Sequence, residues 1–423
     1  MPATDSTAAV EAVFRIEFPR VVASLTHAVG DIGLAEELAQ DALVDALQQW
    51  PRDGTPRNPG AWLTAVGKRK AIDRFRRDRT LRDKYAQRGR ALESSDPTDA
   101  DFDPDRIDDD RLRLIFVACH PVLPVPARVA LTLRLVGGLT TMEIARAYVV
   151  PEPTIAQRIV RAKKTIESAA VPFEVPTGTD RAARLDTVLE VIYLIFNEGY
   201  SATAGDEWLR PELCDEGLRL GRVLAGLAPD EAEVHGLVAL MEFQSSRLRA
   251  RIGPDGAPVL LHDQDRRLWD RLLITRGEAA LRRADELAPA RGPYALQAAI
   301  ASCHTRAFRS DETDWEELVT LYTELARMTS SPVVELNRAV AVSRARGPQA
   351  ALPLVDLLVS TGTLTRYHLL YNVRGDLLDQ LGRHAEAADD FARAAALSRN
   401  EPERALSAAR ADDSRSRAGG SVP

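Results

Sequence analysis

The stretch TIAQRIVRAKKTI, residues 154–166, constrains this chain more than any other. Ile155, Ile159, Ala162 and Ile166 recur at i, i+4, i+7 and i+11, the single apolar stripe of an amphipathic helix. The other side carries Gln157, Arg158, Arg161, Lys163 and Lys164. Upstream, TTMEIARAY (140–148) reads as a short helix and VVP (149–151) as its break. Glu152 and Pro153 suit the first turn of the next helix: a carboxylate meets the positive helix end there, and proline lacks only an already orphaned N–H. Ile144, Ala145, Ile155 and Ile159 would pin the two helices as a helix-turn-helix. Such a second helix enters the major groove N-terminus first, which turns Thr154, Ala156, Gln157, Val160 and Arg161 towards base edges. Gln157 can pair with adenine and Arg161 with guanine, while Arg158, Lys163 and Lys164 suit phosphates. The same pattern also fits a three-helix protein-contact domain with a charged face.

The charge distribution divides the chain further. The net charge of −7 conceals +3 over residues 1–92, −8 over 93–110, +6 over 111–168 and −8 over 169–423. Two basic modules flank an acidic strip, and a large acidic module follows. The 423 residues suffice for two or three domains. Aromatics make up only 5% while Ala, Leu and Arg dominate, which points to an all-α protein. No apolar run reaches 18 residues, and the N-terminus lacks a signal-peptide pattern, so no membrane span is expected. Cys119, Cys214 and Cys303 are far apart and odd in number, which points to a reducing cytoplasm rather than a disulfide framework.

Residues 8–50 read as two helices. Val13, Phe14, Phe18, Val21, Val22 and Leu25 line the buried side of the first. The second begins at a plausible cap, Asp31, and keeps Leu34, Leu38 and Ala42 at helical spacing. Its acidic face holds Glu36, Glu37, Asp41 and Asp45. PRDGTPRNPG (51–60) is a loop by its prolines and glycines. A third helix, 62–77, sets Trp62, Leu63, Val66, Ile72 and Phe75 inward and carries Lys68, Arg69, Lys70, Arg74, Arg76 and Arg77. Aromatics beside arginines suit unstacked bases of single-stranded DNA; Trp62 and Phe75 can equally be core. Residues 93–110 read as a flexible acidic linker, 111–170 as the helix-turn-helix domain, and 411–423 as a disordered tail.

Between 181 and 410 the pattern is helix after helix. Residues 371–403 fit a tetratricopeptide unit: Tyr371 and Gly375 in one helix, Gly382 at the turn, and Ala387, Phe391 and Ala394 in the next. Residues 333–358 look like a weaker preceding copy and 315–326 like half of another. Stacked helical pairs expose a concave face suited to a protein or peptide, or form a plain scaffold. NEGYSA, with Asn197, Glu198 and Tyr200, and HDQDRRLWD, with His262, Asp263, Asp265 and Arg266, could be read as acid/base or metal chemistry. Polar clusters of this kind also tie helices together, and that or a partner contact is the preferred reading. Cys119–His120 lacks a second pair at ligand spacing, so a core cysteine is expected. No catalytic residue, metal or cofactor is expected.

AEELAQDALVDALQQW, PGAWLTAVGKRKAIDRFRR, the acidic strip and GLTTMEIARAYVVPEPTIAQRIVRAKKTI together resemble an extracytoplasmic-function (ECF) sigma factor: region 2 (8–92), linker (93–110) and region 4 (111–170). The remainder resembles one ECF group with a long tetratricopeptide-like extension (181–410). The resemblance implies docking of Glu37, Gln40, Asp41 and Asp45 on the β′ clamp helices of core RNA polymerase, whose β subunit is a further partner. It implies reading of a −10 element by Arg52, Arg57, Asn58, Trp62 and the basic run, and of a −35 element by the second helix of the helix-turn-helix. It also implies a linker threaded through the polymerase cleft, activity set through the extension, and a small YCII-related (DGPF) partner protein. A polymerase-independent helix-turn-helix regulator is the rival; it leaves helices 34–50 and 62–77 unexplained.

Overall fold

The computed structural model describes residues 3–77, 104–148, 150–200, 209–253, 259–261, 263–398 and 401–419. Among them are eighteen α-helices, as an Ala- and Leu-rich chain with helical apolar spacing demands. The chain forms two units, residues 1–194 and 195–423.

In the first unit, α1 (Ala3–Val29), α2 (Ile32–Asp53) and α3 (Pro59–Arg77) pack on one another. Phe18, Val21, Val22 and Leu25 of α1 meet Leu34, Leu38 and Ala42 of α2 and Leu63 and Val66 of α3 in the buried set. Asp31 caps α2, its side chain accepting from the N–H groups of Gly33 and Leu34. The loop is shorter than its composition suggests, since Pro51, Arg52 and Asp53 continue α2. The acidic strip also ends early: α4 (Pro104–Ala118) starts within it and packs on α1. Asp110 is buried there, 3.2 Å from His27 Nδ1 and 2.5 Å from the Arg113 guanidinium. Residues 93–103 of the expected linker lie outside the described residues. α5 (Val125–Leu135), α6 (Thr141–Ala147) and α7 (Glu152–Ser168) complete the helix-turn-helix. α8 (Gly178–Tyr200) follows, and the boundary between the units falls within it at Leu194. Its first half belongs with α4: Arg184 donates to the Phe116 carbonyl at 2.9 Å and lies over the Phe116 ring.

The second unit runs through α9 (Pro211–Leu227), α10 (Ala232–Ser245), α11 (Arg271–Leu287), α12 (Pro293–Arg306), α13 (Trp315–Thr329), α14 (Pro332–Arg346), α15 (Pro348–Ser360), α16 (His368–Gln380), α17 (His384–Leu397) and α18 (Glu401–Gly419). From α13 on, each helix packs mainly on its sequence neighbours, the arrangement of a stacked repeat. Gly375 of α16 faces Phe391 of α17 so closely that a Cβ there would sit 2.9 Å from the ring. The tail is not structureless as its composition suggests. Through Gly419 it forms α18, whose Ser407, Ala411 and Ser414 are buried and whose Arg410 and Arg417 pair with Asp376 and Asp379 of α16.

Candidate nucleic-acid interface

The helix-turn-helix is built from short-range chemistry. Thr140 and Glu143 form a capping box: the Thr140 hydroxyl accepts from the Glu143 N–H, and the Glu143 carboxylate accepts from the Thr140 N–H at 2.7 Å. Ile144 and Ala145 of α6 are buried with Ile155, Ile159, Ala162 and Ile166 of α7, so the apolar stripe is the hinge of the motif. Burial of that stripe dictates what faces out. Thr154, Gln157, Val160, Arg161 and Lys164 are exposed, Val160 at 64%, and Ala156 and Arg158 are half-buried beside them. An exposed valine flanked by Gln157 and Arg161 is the surface a base edge with a methyl group would meet.

Lys163 differs from the other cations of α7. Its ammonium pairs with Oε2 of Glu36 from α2. Glu36, one of the four acids that the sequence sets on the acidic face of α2, is only 4% exposed. Its Oε1 accepts from Arg134 Nε of α5 at 2.6 Å and from Gln40 Nε2 at 3.1 Å. Arg134 also donates to the Leu139 carbonyl and lies 5.6 Å from the centre of the Phe18 ring. Local sequence gives one hint of this: Ile32, Glu36 and Ala39 share a second buried stripe at i, i+4 and i+7.

On the region preceding the acidic strip, Arg57, Asn58, Arg69, Arg74 and Arg76 are exposed, and Lys68 and Lys70 are half-buried. The side chain of Arg77 lies outside the described residues. Arg52 is exposed in the last turn of α2 rather than in the loop. Asn58 serves the fold as well, its Oδ1 accepting from the Ala61 N–H at the start of α3. Phe75 is core at 5% exposure; Trp62 is half-buried, edge-on to Trp50 with ring centres 5.4 Å apart. Glu37, Gln40 and Asp41 are exposed on α2 beside Val44, and Asp45 is half-buried. Two of these acids meet α3 cations: Glu37 with Arg74 at 2.7 Å and Asp45 with Lys70 at 3.0 Å. The Glu37 pair is largely exposed, where such contacts contribute about 0–1 kcal/mol.

Residues 14–80 match Sigma-70 region 2, and residues 113–166 match Sigma-70 region 4. Over 196 residues the chain is 28% identical to the probable ECF RNA polymerase sigma factor SigI of Mycobacterium tuberculosis, covering 43% of this chain and 67% of that protein. The chain belongs to the ECF sigma factors. Sigma-70 family proteins are transcription factors rather than enzymes. Residues 184–285 match a family of unknown function, DUF6596. An uncharacterized protein of Rhizobium meliloti is 47% identical over 392 residues, 92% of this chain and 91% of the relative, so the long helical extension is shared with it. No helix among the described residues is long and apolar enough to cross a membrane.

Two of the polar residues singled out in the extension, Tyr200 and Arg266, meet through Arg247, whose guanidinium lies 6.0 Å from the Tyr200 ring centre and 5.8 Å from that of Trp269, over which Arg266 also lies. Glu198 pairs with Arg210, and Asn197 is half-buried on the same helix. The Tyr200 hydroxyl accepts from Arg247 at 2.6 Å, and Arg251 lies 3.7 Å from its ring centre. Arg266 donates to the carbonyls of His304 and Ala307, both at 2.7 Å, and to the Thr313 hydroxyl. Asp265 caps the short turn 266–268 and pairs with Arg267, while Asp263 is exposed. His262 lies outside the described residues. These bonds join helices and turns. Cys119 packs its sulfur 3.3 Å from the Thr132 hydroxyl, and burial pushes its thiol up to about 12. His120 turns Nδ1 to the Val122 N–H. Among the described residues no group of three or more His, Cys, Asp or Glu is arranged to hold a metal.

Proposed function

We propose that this sigma factor binds core RNA polymerase and directs initiation at promoters that carry its own −10 and −35 elements. In this reading α7 enters the major groove at the −35 element, with Gln157 and Arg161 on bases and Arg158 and Lys164 on phosphates. Arg52, Arg57, Asn58, Trp62 and the α3 cations Lys68, Arg69, Lys70, Arg74, Arg76 and Arg77 engage the −10 element, where aromatic and cationic side chains hold unstacked bases. The outer face of α2, with Glu37, Gln40, Asp41 and Asp45, meets the β′ clamp helices. The observation that carries the reading is the pairing of both sigma regions with an exposed Gln157–Val160–Arg161 surface on α7. The helical extension sets activity, with a small YCII-related (DGPF) protein as a candidate partner.

Fluorescence anisotropy on a promoter duplex tests the reading against a polymerase-independent regulator. The full chain alone is expected to bind weakly and without sequence preference. Core polymerase is expected to bring sequence-specific binding. Tight specific binding that is indifferent to polymerase would overturn the proposal.

A further inference from the structure

The two promoter-reading modules lie in one unit, and α2 touches both. α2 packs along α3, and a Cβ on Gly33 of α2 would lie 3.9 Å from Lys163 Cδ of α7. With 22 residues, α2 is about 33 Å long. A −10 and a −35 element lie about 25 base pairs apart, which at 3.4 Å per base pair is about 85 Å. This arrangement therefore cannot read both elements at once.

We propose that Glu36 is an internal latch that holds the two modules closed in the free chain and withdraws Lys163 from DNA. Three features support this assignment. The Glu36 carboxylate is nearly sealed from water, with 5% side-chain exposure, so its charge requires partners. Both cationic partners come from the helix-turn-helix domain, Arg134 from α5 and Lys163 from α7, while the remaining donor, Gln40, is one turn away on α2. Lys163 is half-buried by the contact, whereas Lys164 beside it is exposed. Neighbouring contacts join the same helices: His27 of α1 reaches Asp110 of α4, and the Arg134 guanidinium of α5 lies over the Phe18 ring of α1. Opening transfers Lys163 from a carboxylate to a phosphate, so DNA competes directly for a member of the latch. The contact belongs to the free chain; its consequence for transcription rests on the sigma-factor reading.

Single-molecule energy transfer between dyes at Q49C on α2 and E167C on α7 tests this in the full chain. The three native cysteines are buried and free, and do not compete for label. The free chain is expected to show one high-transfer population. Glu36→Gln keeps the volume and removes the charge, and should lower the closed-to-open ratio by at least about tenfold, since breaking one side of a buried pair commonly exceeds that step. Lys163→Gln should open the chain too. On random duplex DNA, Glu36→Gln should raise the slope of log affinity against log salt by about 1 because Lys163 is released, while Lys163→Gln should not. A free chain that is already in low transfer, or a Glu36→Gln chain with unchanged transfer and slope, overturns the latch. Core polymerase should shift the unmutated chain to low transfer. Opening by Glu36→Gln without any response to polymerase keeps the latch and removes the sigma reading.

Discussion

At the residue scale, what a side chain contributes follows from what it touches. Arg161 and Gln157 are exposed on the outer face of α7, where the proposed function sets them on bases. Arg161→Ala or Gln157→Ala is expected to cost about 1–3 kcal/mol on the cognate promoter and to relax preference at one position. Lys164→Ala should weaken all sequences alike and lower the salt slope by about 1, measured by anisotropy of the polymerase complex across salt. His304 offers a test of the extension. Burial first, then Arg247 and Arg266, pushes its pKa down to about 3. An unfolded chain therefore binds a proton near pH 6 that the folded chain refuses. Stability carried by this residue is intact above about pH 6.5 and falls as pH drops towards 3, by about 2 kcal/mol between about pH 6.5 and about pH 5. Urea unfolding at those two pH values should show this loss in the unmutated chain and a smaller one in His304→Asn.

At the scale of elements, the repeat depends on close approach. Gly375→Ala places a methyl 2.9 Å from a Phe391 ring atom and is expected to cost about 1–3 kcal/mol, read from denaturant unfolding. Elements with an apolar stripe were legible in the sequence: α2, α6, α7 and the α16–α17 pair emerge from periodicity and capping residues. Elements held by charge were not. The first turns of α4 lie in an acidic run that composition assigns to a spacer. α18 has no broad apolar stripe, because it docks through Arg410, Arg417 and two buried serines. Glu36 hid for a related reason. Its partners Arg134 and Lys163 are distant in sequence, and Glu37 beside it does face solvent.

At the scale of the whole molecule, composition places the extension after residue 180, whereas the structure keeps residues to Leu194 with the sigma regions. The reason is the Arg184–Phe116 contact, which ties the first half of α8 to α4. A chain ending at residue 194 should therefore melt at a higher temperature than one ending at residue 170, as followed by circular dichroism. The central claim concerns the full chain. Run-off transcription with core RNA polymerase on sheared genomic DNA tests it most directly. Our account predicts discrete new start sites that require this chain and share upstream sequences at −35 and −10. A transcript pattern identical with and without the chain would contradict it.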